Sequence, residues 1–194
     1  MLTDFVKLVI NTIKDPKQVA LKISLVTLPP VTLWSLVVLV VIISVLLSEL
    51  ANWLLPVKPT QTSLILISSP FLATVVLTVL MTVMIFLTFY IGKLFGGTGS
   101  IESTISVIVW LQTTMIALQV VQLILIPFLP SLAMILGFFA GILFFWLYVN
   151  FILVLHGFTS LGKVFFGVIA SMLGVIFLFS LLIGTLISTF SFGA

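Results

Sequence analysis

The stretch VTLWSLVVLVVIISVLL, residues 31–47, contains no charged residue and no break in its apolar character. Crossing a hydrocarbon core of about 30 Å takes roughly 20 helical residues, so this run is nearly a full crossing by itself. A strand of a membrane barrel would alternate apolar and polar positions. This run is apolar all round, which predicts a membrane-spanning helix. Working outward from it, four more stretches read the same way, so the expected spans are residues 31–47, 64–91, 104–126, 132–155 and 164–187.

Composition requires the same solvent. Hydrophobic residues make up 62% of the 194 and charged residues 6%, against about 25% charged in a soluble domain. So few charges cannot coat a water-facing surface, and lipid must cover most of it. The punctuation fits five crossings. Pro29-Pro30 precedes the first span, Pro56 and Pro59 mark a polar connection, IPFLP (126–130) forces a turn, and HGFTSLGK (156–163) separates the last two spans.

Ahead of the first span the pattern changes. Leu2, Phe5, Val6, Val9 and Ile13 fall on one side of a helix, and Asp4, Lys7, Asn11 and Lys14 on the other. That is an amphipathic helix suited to the membrane interface. Asp15-Pro16 ends it, with the aspartate capping a second short helix that Pro16 opens and that carries Lys17 and Lys22. The expected architecture is all-α: residues 1–28 form interfacial helices and residues 29–194 a bundle of five transmembrane helices. The N-terminal lysines predict a surface for anionic lipid. No cleavable signal peptide is expected, because the first 22 residues hold two aspartates and four lysines around no central apolar block.

With five spans, Lys7, Lys14, Lys17, Lys22, Lys93 and Lys163 share one side of the membrane and Lys58 stands alone on the other. This bias predicts a cytoplasmic N-terminus and an outside C-terminus. The net charge of +3 is thus a topology signal, and nucleic acid is not an expected partner. Cysteine is absent, which excludes thiol chemistry and disulfides.

The loop KLFGGTGSIEST, residues 93–104, is the glycine-rich exception in this chain. It lacks the GK[ST] ending of a phosphate loop, and Gly96, Gly97 and Gly99 do not follow the dinucleotide-binding spacing. The expected roles are local: glycine ends one helix in the left-handed conformation, Ser100 caps the next, and Glu102 lies in its first turn. A partner-docking role for the loop is the alternative.

Polar residues inside the spans are costly in lipid and mark the next candidates. Gln112, Gln119 and Gln122 fall within a narrow sector of the third span, Asn150 lies in the fourth, and His156 follows it. They form either a polar seam lining a path or a set of interhelical hydrogen bonds. His156, the single histidine, has a pH-sensing or ligand role open to it. A metal site is not expected without further ligands, and neither is a cofactor. Gly137 and Gly141 on the fourth span, and Gly167, Ala170, Ser171 and Gly174 on the fifth, are small-residue pairs that allow close helix approach, within the bundle or between two copies.

In order along the chain, the helix ending in Asp15-Pro16, Gly96-Gly97 after the second span, Trp110 in the third and His156-Gly157-Phe158 after the fourth resemble the Yip-domain membrane proteins, named for interaction with Ypt/Rab GTPases. The resemblance covers nearly the whole chain. It implies a five-span integral membrane protein without enzymatic activity, whose eukaryotic relatives work in ER and Golgi vesicle traffic and bind Rab GTPases and one another. The long polar N-terminal region of eukaryotic members is missing, so the chain looks like the compact bacterial type, in the inner membrane. The expected function is a membrane scaffold or adaptor that displays the 92–103 and 156–163 loops and the N-terminal helix to a protein partner or to lipid. The alternative is a small transporter or channel using the Gln112–Asn150 seam. An enzyme is not expected: four scattered acids and one histidine supply neither a paired acid and base nor an activated nucleophile.

Overall fold

The computed structural model describes residues 2–55 and 69–191, which form seven α-helices and no strand. They are α1 (Leu2–Lys14), α2 (Pro16–Ser24), α3 (Pro30–Leu54), α4 (Pro70–Leu94), α5 (Ile101–Leu125), α6 (Pro130–Leu155) and α7 (Leu161–Ser191). Among them α3 to α6, each of 25 or 26 residues, are long and apolar enough to cross a membrane. The fifth crossing is α7, 31 residues long. The expected start of the second span at residue 64, the prolines at 56 and 59, and Lys58 lie outside the described residues.

Proline sets several of the helix starts. Pro16, Pro30, Pro70 and Pro130 each stand in the first turn of their helix, where no backbone donor is needed and the fixed φ suits the helix. At the other end of α3 the helix runs past the apolar stretch, through Glu49 and Asn52 to Leu54. A helix need not stop where hydrocarbon stops, since its hydrogen bonds are internal and its last turns can lie among headgroups.

Most buried residues gather at the end of the bundle where α4 turns into α5 and α6 into α7. There Leu33, Val37 and Val41 of α3 pack with Met81 and Ile85 of α4 and with Ile105 and Ile108 of α5. A second cluster joins Ala20 of α2 to Val107 and Leu111 of α5 and to Leu147, Phe151 and Leu155 of α6. A third seats Val164 and Val168 of α7 on Val149, Ile152 and Leu153 of α6. Apolar side chains on the outside, such as Phe138 at 70% exposure, are the surface that lipid covers.

The two N-terminal helices belong to this packed end. Asp15 caps α2 by accepting a hydrogen bond from Gln18 N at 3.1 Å, and Val19 and Ala20 are buried against the bundle. Ser103 Oγ donates to Ser24 O at 2.9 Å, tying the end of α2 to the start of α5. On α1 three faces separate. Val9 and Thr12 are buried, Val6, Ile10 and Ile13 are exposed apolar residues, and Lys7, Asn11 and Lys14 are exposed and polar. The helix therefore docks on protein with one face while an adjacent apolar face remains for lipid and the polar face for water.

Trp110 fastens α1. Its Nε1–H donates to Thr12 Oγ1 at 3.0 Å, and its ring meets Phe5 edge-on with centroids 6.2 Å apart. Replacing Trp110 by Phe removes that donor, while the Thr12 hydroxyl keeps its own acceptor, Leu8 O. The expected cost is about 1 kcal/mol, seen as roughly fivefold faster amide exchange across residues 2–14. Thr12→Val should cost more, because it strands the indole N–H. Unchanged exchange in both variants would show that this bond does not hold the helix.

Candidate functional site

The glycine loop and the histidine form one structure. Helix α4 ends with Gly96 at φ 82°; Gly96 N bonds Lys93 O at 2.9 Å and Gly97 N bonds Gly92 O at 2.8 Å. Helix α6 ends in the same way, with Gly157 at φ 69°, Gly157 N bonded to Val154 O at 3.2 Å and Phe158 N to Leu153 O at 2.9 Å. Both are Schellman closures, in which a left-handed residue returns its own N–H and that of the following residue to the helix's last free carbonyls. Thr98 then joins the two turns, its N–H donating to His156 O at 3.2 Å. Ser100 caps α5 by accepting from Ser103 N at 3.1 Å, with Glu102 in the first turn.

The His156 side chain is 1% exposed. It lies in a cradle of three glycines: a Cβ built on Gly92 or on Gly97 would collide with the imidazole, and one on Gly99 would come 3.2 Å from His156 Cε1 and 2.8 Å from Leu155 O. Phe158 stacks on the ring at 5.6 Å. Neither ring nitrogen has a hydrogen bond of ordinary geometry. Burial pushes the imidazole below its usual 6.5; the facing Thr88 carbonyl opposes this, and the Lys93 ammonium adds to the lowering. A buried base without a strong partner prefers to stay neutral.

The remaining candidates are spread among different neighbours. Gln112 Nε2 donates to Ser44 Oγ on α3 at 2.9 Å, and Gln122 Nε2 donates to Ala133 O on α6 at 3.1 Å. Asn150 Nδ2 returns to Trp146 O of its own helix at 2.9 Å. Gln119 Oε1 and Asn150 Oδ1 are buried without a partner among the described residues. Gly137 makes room for an amide, since a Cβ there would stand 2.8 Å from Gln122 Nε2. Among the described residues, Gly141, Gly167 and Gly174 have nothing within 4 Å of such an atom. Ala170 is exposed, and Ser171 Oγ donates to Gly167 O at 2.7 Å.

Gly141, Gly167 and Ser171 border a cleft of about 650 Å³ between α4, α6 and α7. No pattern in the sequence marks it. Its walls include Leu80, Leu87, Phe144, Ile152, Val168 and Ile176. Part-way along, the Tyr148 hydroxyl and Thr88 Oγ1 share a hydrogen bond of 2.8 Å. Phe158, from the stack on His156, also reaches the cleft, while Gln112, Gln119 and Gln122 are not among its lining residues.

The Asp15 cap of α2, Trp110 under α1 and the paired turns around His156 all lie at this end. Residues 10–183 match the family model described as the Yip1 domain. The chain belongs to the Yip1-domain family. Comparison with curated proteins and with solved structures gives no match. Membership in the Yip1-domain family and the apolar helices together make this an integral membrane protein of the Yip type.

Proposed function

We propose that this Yip1-domain protein is a non-enzymatic membrane scaffold or adaptor whose cytoplasmic end presents a rigid surface to a protein partner. The observation that carries the reading is the locked pair of turns. Thr98 bonds across to His156 O, the imidazole fills the space between the turns, and the outward residues Phe95, Thr98 and Gly157 remain exposed. A surface that is already rigid loses little conformational entropy when it is bound. Placing this end in the cytoplasm rests on the lysine bias, with Lys93 and Lys163 at the turns and four more lysines on α1 and α2, and placing it in a bacterial inner membrane rests on the likeness to the compact bacterial type. The exposed apolar stripe of α1 beside its lysines supports contact with anionic lipid. The amides favour packing over a transport path, since Gln112 and Gln122 each bond a different neighbouring helix.

A photo-crosslinking residue at Thr98 or Ser100 is expected to capture the same protein from both positions in intact cells. Gly97→Val, which unseats the turns, should abolish that capture while the protein still inserts in the membrane. Lipid adducts alone from both positions would overturn the adaptor reading.

A further inference from the structure

We infer that the cleft between α4, α6 and α7 binds one anionic phospholipid, with the headgroup phosphate at Lys163, Thr159 and Ser160 and an acyl chain lying along the groove. The first ground is how polarity is distributed. Thr159, Ser160 and Lys163 line one end of the cleft, at the start of α7. Deeper in, the polar groups satisfy one another: Tyr148 pairs with Thr88, and the Ser171 hydroxyl is bonded to Gly167 O. The remaining wall is aliphatic and aromatic. Water entering such a space would find few partners, whereas hydrocarbon asks for none.

Length gives the second ground. From Lys163 to Ile176 the groove follows α7 for about 20 Å at 1.5 Å per residue, and one leaflet of a ~30 Å hydrocarbon core is about 15 Å deep. A chain anchored at the lysine therefore reaches the bilayer midplane inside the groove. Width is the third ground. Gly141 and Gly167 both line the cleft and, among the described residues, have nothing within 4 Å of a built Cβ, so the small residues hold space open. Charge selects the class of lipid: Lys163 lines the headgroup end, and no carboxylate is among the described residues that line the cleft. An anionic head is thus favoured over a zwitterionic one of equal chain length.

The test uses the full chain purified in mild detergent and titrated with dioleoyl phosphatidylglycerol or dioleoyl phosphatidylcholine, with retained lipid counted by native mass spectrometry. One phosphatidylglycerol should be retained about fivefold more tightly than phosphatidylcholine. Lys163→Gln should erase the preference and Lys163→Arg should keep it. Gly167→Leu, whose Cβ meets nothing within 4 Å among the described residues and whose longer chain enters the groove, should release both lipids at unaltered helicity. Equal retention of the two lipids, or wild-type retention by Gly167→Leu, would mean ordinary boundary lipid and overturn the proposal. Should Gly167→Leu fail to fold, a phosphatidylglycerol carrying a photoreactive acyl chain decides on the wild type. Adducts at Leu80 or Ile176 support the site, and adducts spread over the outer residues Phe138 and Phe139 refute it.

Discussion

Gly92→Ala is expected to lower the unfolding midpoint of this protein, against the usual sign of the substitution. A glycine inside a helix is ordinarily a liability, and alanine there stabilises by about 1 kcal/mol. Gly92 lies in the last turns of α4, where that gain would apply if nothing stood beside it. What stands beside it is the imidazole of His156, in the space the new methyl group would take. Overpacking a filled site costs about 1–3 kcal/mol and sometimes more, and here the ring has little room to retreat, held between Gly97, Gly99 and Phe158. The steric term therefore wins. The sharper form of the prediction is a double-mutant cycle. His156→Ala alone should destabilise by removing a buried ring. In that background Gly92→Ala should become neutral or stabilising, because the obstacle has gone and the helix propensity returns. The coupling between the sites should reach about 2–3 kcal/mol, near the upper end for residues in contact. Reversible unfolding in mixed detergent micelles measures all four proteins. Additive effects would show that the glycine and the histidine do not share the space.

How much of this was legible in the sequence differs from one feature to another. The all-α, five-crossing architecture was, because a run such as residues 31–47 leaves lipid no polar face to avoid. So were the Asp15 cap, Pro16 and Pro30 as helix openers and the Ser100 cap, since each depends on residues within one turn, whereas Pro70 falls inside the expected second span and Pro130 in an expected turn. The cradle was not. Gly96, Gly97 and Gly99 read as a turn, yet Gly97 and Gly99 also make room for a ring that lies far along the chain, after the fourth span. Gly92 drew no attention as a single glycine in an apolar helix. The available signal was the likeness of two helix ends, each closing on glycine, one of them carrying the chain's only histidine. The glutamine stripe left two readings open, a polar seam or a set of interhelical hydrogen bonds. Helical spacing places Gln112, Gln119 and Gln122 in one sector, yet α5 crosses α3 near one of them and α6 near another, so a shared sector did not give a shared environment. Small residues were similarly ambiguous. The same pattern lets Gly137 admit an amide and lets Gly141 open a cleft, because a missing side chain does not specify what fills its place.

Acid should loosen the end of the bundle that His156 holds. The folded protein keeps this imidazole below its usual 6.5, first through burial and also through the Lys93 ammonium, with the Thr88 carbonyl pulling the other way. Above 6.5 both the folded and the unfolded histidine are neutral and its contribution to stability is constant. As pH falls below 6.5 the unfolded chain takes up a proton that the folded chain refuses, so stability declines. The decline continues down to the depressed folded value and then levels off. Its slope for one proton is at most about 1.4 kcal/mol per pH unit. The same micellar unfolding assay, run from neutral to mildly acidic pH, should show this slope in the wild type and lose it in His156→Gln, which cannot take up the proton. Lys93→Gln gives a second check on the cause. Removing the ammonium raises the folded value toward 6.5, so the declining window should narrow from its acid side while its upper limit stays in place. Amide exchange should rise first at residues 95–99 and 156–158, where protonation sets a charge among three glycines and the Phe158 ring with no acceptor in ordinary hydrogen-bond geometry. Parallel pH profiles for the wild type and His156→Gln would assign the acid sensitivity to another group and leave the cradle as a packing device alone.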